Sequence, residues 1–178
     1  MTIAINLFAG PGAGKSTMAA GLFYKMKSSG FNVELVTEYC KDLVYEGRTK
    51  AIKNQLYVLG KQYYKMEKLQ HVVDYIITDS PLLLNCIYAN NYPESFNNLI
   101  LDFHNTFNNI NYFINRSDSF DVEGRIHSLQ QSIEIDDKIK KLFDLLNVNY
   151  DSIECSDEGL QKMFTKICII DHRKFTRR

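Results

Sequence analysis

The sequence predicts an α/β fold, a five-stranded parallel sheet with helices on both faces, and three observations carry that expectation. Short apolar runs alternate with helix-period stretches along the chain, the order that builds parallel sheets. The first run, Ile3 to Phe8, is almost continuously apolar, as a strand covered on both faces must be. A length of 178 residues suits one core, and no repeat or low-complexity linker divides it, so a single domain over 1–178 is expected.

The elements follow in order. After Phe8 a glycine-rich stretch leads into a helix in which Ala19, Leu22, Phe23 and Met26 recur at helical spacing, and Ser28, Ser29 and Gly30 stop it. Residues 31–36 form the second strand, ending at Thr37 and Glu38. A helical segment over 41–45 and a turn at Gly47 precede one long helix over 50–69, whose stripe is Ile52, Leu56, Leu59, Tyr63, Met66 and Leu69. The third strand, 75–78, is closed by Asp79, Ser80 and Pro81. The span 82–88 reads as helical, and Pro93 with Glu94 opens a helix carrying Phe96, Leu99, Ile100, Phe103 and Phe107. A fourth strand covers 110–114. Residues 115–132 are polar and show no apolar period, which reads as a mobile lid. A helix over 133–146, a strand over 148–153 and a helix capped by Ser156, running through Leu160, Phe164 and Ile167, complete the alternation. The basic tail 172–178 reads as a solvated terminus.

Composition narrows the function classes. Lys plus Arg, at 21, balances Asp plus Glu, at 21, so no global field draws the chain to nucleic acid or to a membrane surface, and neither partner is expected. Recognition has to be local. Cys40, Cys86, Cys155 and Cys168 form no C-x-x-C pair, and His71, His104, His127 and His172 are scattered, which speaks against structural zinc and for reduced thiols. The first apolar run is short and has no basic leader, and no apolar stretch reaches membrane-span length, so a cytoplasmic protein is expected.

Residues 9–17 read Ala-Gly-Pro-Gly-Ala-Gly-Lys-Ser-Thr between a strand and a helix. This is a phosphate-binding P-loop in its strand-loop-helix setting, because a nucleotide's phosphates need several backbone N–H groups aimed at one point. Gly10, Gly12, Ala13, Gly14, Lys15, Ser16 and Thr17 are the nucleotide-binding residues. Lys15 is placed to reach the β- and γ-phosphates, and Ser16 to hold Mg²⁺. The strict pattern begins with glycine where this chain has Ala9, the smallest replacement.

In an open α/β sheet, ligands gather outside the carboxyl ends of the strands. Asp79, after the third strand, fits the carboxylate that holds Mg²⁺ opposite Ser16. Glu38, after the second, fits a base for an acceptor hydroxyl, with Lys41 and Arg48 nearby on the acceptor side. Arg116 and Arg125, in the lid segment, are permanently cationic donors suited to a transferring phosphoryl group.

With these residues in view the chain resembles small P-loop kinases, the ribosylnicotinamide kinase portion of bacterial NadR and phage-encoded nucleotide kinases. The matching positions are 10–17, the Glu38-Tyr39 pair with Lys41 and Asp42, the Thr78-Asp79 strand end, Glu123-Gly124-Arg125, and the helix-strand unit 136–153. The resemblance implies a five-stranded parallel sheet with the Asp79 strand beside the P-loop strand. It also implies ATP and Mg²⁺, and host cytoplasm for a phage-encoded form. The expected activity is transfer of the γ-phosphate of ATP to a small-molecule nucleoside or nucleotide, by a kinase standing without the adenylyltransferase domain of its NadR-like relatives. A monophosphate kinase making diphosphates, and a regulatory module that binds or hydrolyses ATP, stay open, as does a homodimer. An AAA+ motor calls for a helical lid domain for which the chain has no room.

Overall fold

The computed structural model describes residues 2–116 and 128–171. Its elements run β1 (Ile3–Phe8), α1 (Lys15–Ser28), β2 (Val33–Val36), α2 (Tyr39–Tyr45), α3 (Thr49–Ile52), α4 (Gln55–Glu67), β3 (Tyr75–Thr78), α5 (Leu84–Tyr88), α6 (Glu94–Asn105), β4 (Asn108–Asn115), α7 (Leu129–Leu146), β5 (Asp151–Glu154) and α8 (Asp157–Ile170). The five strands form one sheet in the order β2-β3-β1-β4-β5, and every neighbouring pair is parallel. Ile5 in β1 stands opposite both Ile77 in β3 and Ile110 in β4.

Strand periodicity splits the core into two layers. Ala4, Phe8, Ile76 and Phe113 pack on one face against Leu59, Met66, Leu83, Ile100 and Phe143. Ile5, Leu7, Tyr75, Ile77, Tyr112 and Ile114 pack on the other against Met18, Leu22, Met26, Met163 and Ile167. Thus α1 and α8 cover one side, and α4 to α7 the other. Burial on both sides explains why β1 and β3 read as unbroken apolar runs.

Two expected boundaries are corrected. The long helix over 50–69 is two helices, because the Asn54 side chain accepts the Tyr57 N–H at 3.1 Å and starts α4 afresh. An asparagine there satisfies an orphan N–H that a continuous helix would have left to its own carbonyls. The helix expected from 133 begins at Leu129, since Ser128 and Gln131 form a reciprocal capping box. Residues 128–132 of the expected lid are therefore the cap and first turn of α7, and Asn115 ends β4. Residues 117–127, with Glu123, Gly124, Arg125 and His127, and the tail 172–178 lie outside the described residues. Among the described residues, no helix is long and apolar enough to cross a membrane.

Candidate active site

A parallel sheet points all its strand ends one way, and here Ala9, Glu38, Asp79, Arg116 and Cys155 each lie just past such an end. The P-loop occupies the middle of this edge, because β1 is central. Gly14 is the N-cap of α1 at φ 85°, and a Cβ there would come within 2.2 Å of Cys155 Sγ. Conformation and space both demand glycine at that position. The helix N-terminus that follows offers unpaired amides and a favourable dipole to an anion.

Lys15 Nζ bridges the Ala9 carbonyl at 2.8 Å and the Gly10 carbonyl at 3.0 Å. Burial lowers its pKa below the ordinary lysine value, and the charges of Glu38, Asp79 and Asp136 oppose that fall. The same set of charges shows that the β2, β3 and α7 carboxylates converge on one ammonium group.

Ser16 Oγ donates to Asp79 Oδ2 at 2.5 Å. Asp79 is only 4% exposed, and its Oδ1 is buried without a hydrogen-bond partner among the described residues. A carboxylate so placed needs a cation or a donor, and a hydroxyl beside it completes a set of hard oxygens that suits Mg²⁺.

Glu38 is the N-cap residue of α2 and is half-buried. Desolvation raises its pKa above the usual carboxylate range, partly offset by Lys15, while Asp79 adds to the rise. Lys41 is exposed. Arg48 is also exposed, pairs with Glu46 at 3.3 Å and lies over the Tyr57 ring, 6.0 Å from its centroid. The Tyr57 and Tyr39 hydroxyls bond at 2.6 Å. Lys41 and Arg48 thus lie on the β2 side, at and beyond α2, and the Lys41 charge acts on Glu38.

Arg116 donates from Nη1 to the Pro11 carbonyl at 2.9 Å and from Nη2 to Asp136 Oδ2 at 2.8 Å. It therefore stands against the P-loop. Asp136 was not singled out in the sequence, although a signal exists. It sits within the buried stripe Ser132, Ile135, Ile139 and Phe143 of α7, where a carboxylate has to find a partner. On the same helix the Ser132 carbonyl lies 2.3 Å from where a Cβ of residue 10 would be. Gly10→Ala is accordingly expected to cost about 1–3 kcal/mol through overpacking, a fall of roughly 3–9 °C in Tm for a chain of this size. A thermal melt indistinguishable from wild type would remove the close-packing argument.

A family described as AAA domain (AAA_28) matches residues 4–158. No curated protein matches the chain. Among solved structures it is similar to thymidylate kinase from Ehrlichia chaffeensis, at 13% identity and TM-score 0.61, over 95% of this chain and 98% of that one. It is also similar to deoxyadenosine kinase from M. mycoides with bound dATP, at 20% identity and TM-score 0.56, over 94% and 100% of the two chains. The same kinase with products dCMP and dCDP matches at 18% identity and TM-score 0.55, over 94% and 99%. At these identities the likeness is one of fold: the five-stranded parallel sheet is that of P-loop nucleoside and nucleotide kinases.

Proposed function

The chain belongs to the AAA domain family AAA_28, and from that premise we propose that it is an ATP-dependent phosphotransferase whose acceptor is a nucleoside or nucleotide. The observation that carries this reading is the convergence of Lys15, Glu38, Asp79 and Asp136 around the P-loop at one sheet edge. The P-loop amides of residues 12–17 and Lys15 bind the phosphates, since Pro11 has no N–H and the Gly10 N–H is taken by Asp136. Ser16 and Asp79 would hold Mg²⁺, which supplies neutralising charge at the β- and γ-phosphates. Arg116, beside Pro11, and Arg125 are assigned to the charge on the transferring group.

Glu38 points to a hydroxyl acceptor. A hydroxyl loses a proton as it attacks, and a half-buried carboxylate with a raised pKa is a competent base. A monophosphate arrives as an anion and mainly needs cations, which Arg48 and Lys41 would supply. Both of those cations are exposed, whereas Glu38 is half-buried beside Lys15 and Asp79, which favours the hydroxyl. The fold neighbours include one kinase of each kind.

The test is a panel of nucleosides, deoxynucleosides, monophosphates and nicotinamide riboside, assayed with ATP for acceptor-dependent ADP formation. Nucleosides are expected to outperform monophosphates. Glu38→Gln is expected to lower kcat about 100-fold or more with little change in ATP binding. The working form of Glu38 is the carboxylate, so the wild-type rate should rise with pH through an acid limb displaced upward from the usual carboxylate range. That limb should vanish in Glu38→Gln. Conversion of monophosphates with Arg48→Ala chiefly raising their KM would replace this reading by a monophosphate kinase. Hydrolysis of ATP indifferent to every acceptor would favour the second reading, a regulatory module that binds or hydrolyses ATP.

A further inference from the structure

Helix α7 meets the P-loop through a closed ring of polar groups. Asp136 Oδ1 accepts the Gly10 N–H at 2.5 Å, and Oδ2 accepts from Arg116 Nη2 at 2.8 Å. Arg116 Nη1 returns to the loop at the Pro11 carbonyl, 2.9 Å away. Ser132, one turn before Asp136, abuts Gly10 with its backbone carbonyl. The side chains of Arg116 and Asp136 are only 13% and 14% exposed, so solvent and salt screen the pair weakly. Arg116 directly follows β4 and Asp136 lies in the second turn of α7, so the ring ties the elements on either side of 117–127 to the phosphate-binding loop.

We infer that Asp136 is a positioning residue, holding the Arg116 guanidinium and the start of the P-loop in one arrangement from α7. This rests on the proposed phosphotransferase reading of the site. A guanidinium already fixed in its plane by two partners has less conformational freedom to lose when it meets an anion. The carboxylate acts through that guanidinium and the Gly10 amide, not on the reacting atoms. Its placement is economical chemically, because the arginine neutralises a carboxylate that would otherwise repel phosphate at the loop.

A double-mutant cycle tests the role, with Arg116→Ala, Asp136→Ala and the pair assayed for phosphoryl transfer and checked for folding by thermal melts. Each single change is expected to lower kcat about 10- to 100-fold while KM for ATP stays within about threefold. The double variant should fall no further than the worse single, since one residue acts through the other. A loss in the double equal to the product of the singles, or a wild-type kcat in Asp136→Ala, overturns the inference. Should Asp136→Ala fail to fold, Asp136→Asn takes its place in the cycle under the same criteria, since it keeps an acceptor for the Gly10 amide and lacks the charge. Hydrogen exchange of the protein without nucleotide reads the ring independently of any acceptor. Faster exchange at the Gly10 amide is expected in Asp136→Ala, which removes its acceptor, or in Asp136→Gly should the Ala variant not fold, and unchanged exchange overturns the role. Loss of Gly10 protection in the variant, alongside a wild-type protein that phosphorylates nothing in the panel, would remove the proposed function and leave the ring standing.

Discussion

Lys15→Ala is expected to lower phosphoryl transfer on the order of a thousandfold or more while the fold stays intact. The ammonium group stands at the focus of the strand edge, bonded to the Ala9 and Gly10 carbonyls and facing Glu38, Asp79 and Asp136. Its removal takes away a point charge from the phosphate site and leaves the carboxylates less neutralised. Glu38 then loses the main influence that opposes its raised pKa, so under the proposed assignment of Glu38 as base the variant is weakened twice, in charge stabilisation and in the ionised fraction of that carboxyl. The core does not depend on the residue, since neither packed layer includes it. Transfer rates with thermal melts check this, and a folded Lys15→Ala protein with wild-type activity would remove the P-loop assignment.

The parts of this site that were legible in the sequence are those whose chemistry is written in contiguous residues. Ile3 to Phe8 announced a doubly covered strand, and the loop after it carried its own glycines, lysine and serine. Glu38 and Asp79 were legible because a strand end is a short apolar run followed by a polar residue, and parallel topology brings all such ends to one edge. Asp136 lay hidden because its partners, Gly10 and Arg116, are remote in sequence and its neighbours belong to an ordinary amphipathic stripe. The break at Asn54 was missed for a different reason. The apolar stripe continues across it at nearly helical spacing, and only the side-chain bond to Tyr57 reveals the new start. Likewise the polar residues 128–132 read as lid, since a capping box consists of the same residue types as a loop.

Asp79→Asn is the second large effect, with transfer expected to fall by about 100-fold or more. The substitution keeps the size of the side chain and an acceptor for Ser16 Oγ, which now lies 2.5 Å from Oδ2. What it removes is the charge, at a position 4% exposed where Oδ1 has no hydrogen-bond partner among the described residues. A buried carboxylate with an unpartnered oxygen is costly by itself, but its charge also offsets that of Lys15, so the two effects oppose and the variant should melt close to wild type in the absence of Mg²⁺ and nucleotide. Under Mg²⁺ and ATP the wild type should melt higher. A ligand that binds only the folded state raises Tm by mass action, and the wild type gains that increment through Asp79 whereas the variant loses most of it. Raising Mg²⁺ should therefore restore little of the variant's activity at concentrations that saturate wild type. Identical Mg²⁺ titrations of rate and of Tm in the two proteins would place the metal elsewhere and leave Asp79 as a partner of Ser16 alone.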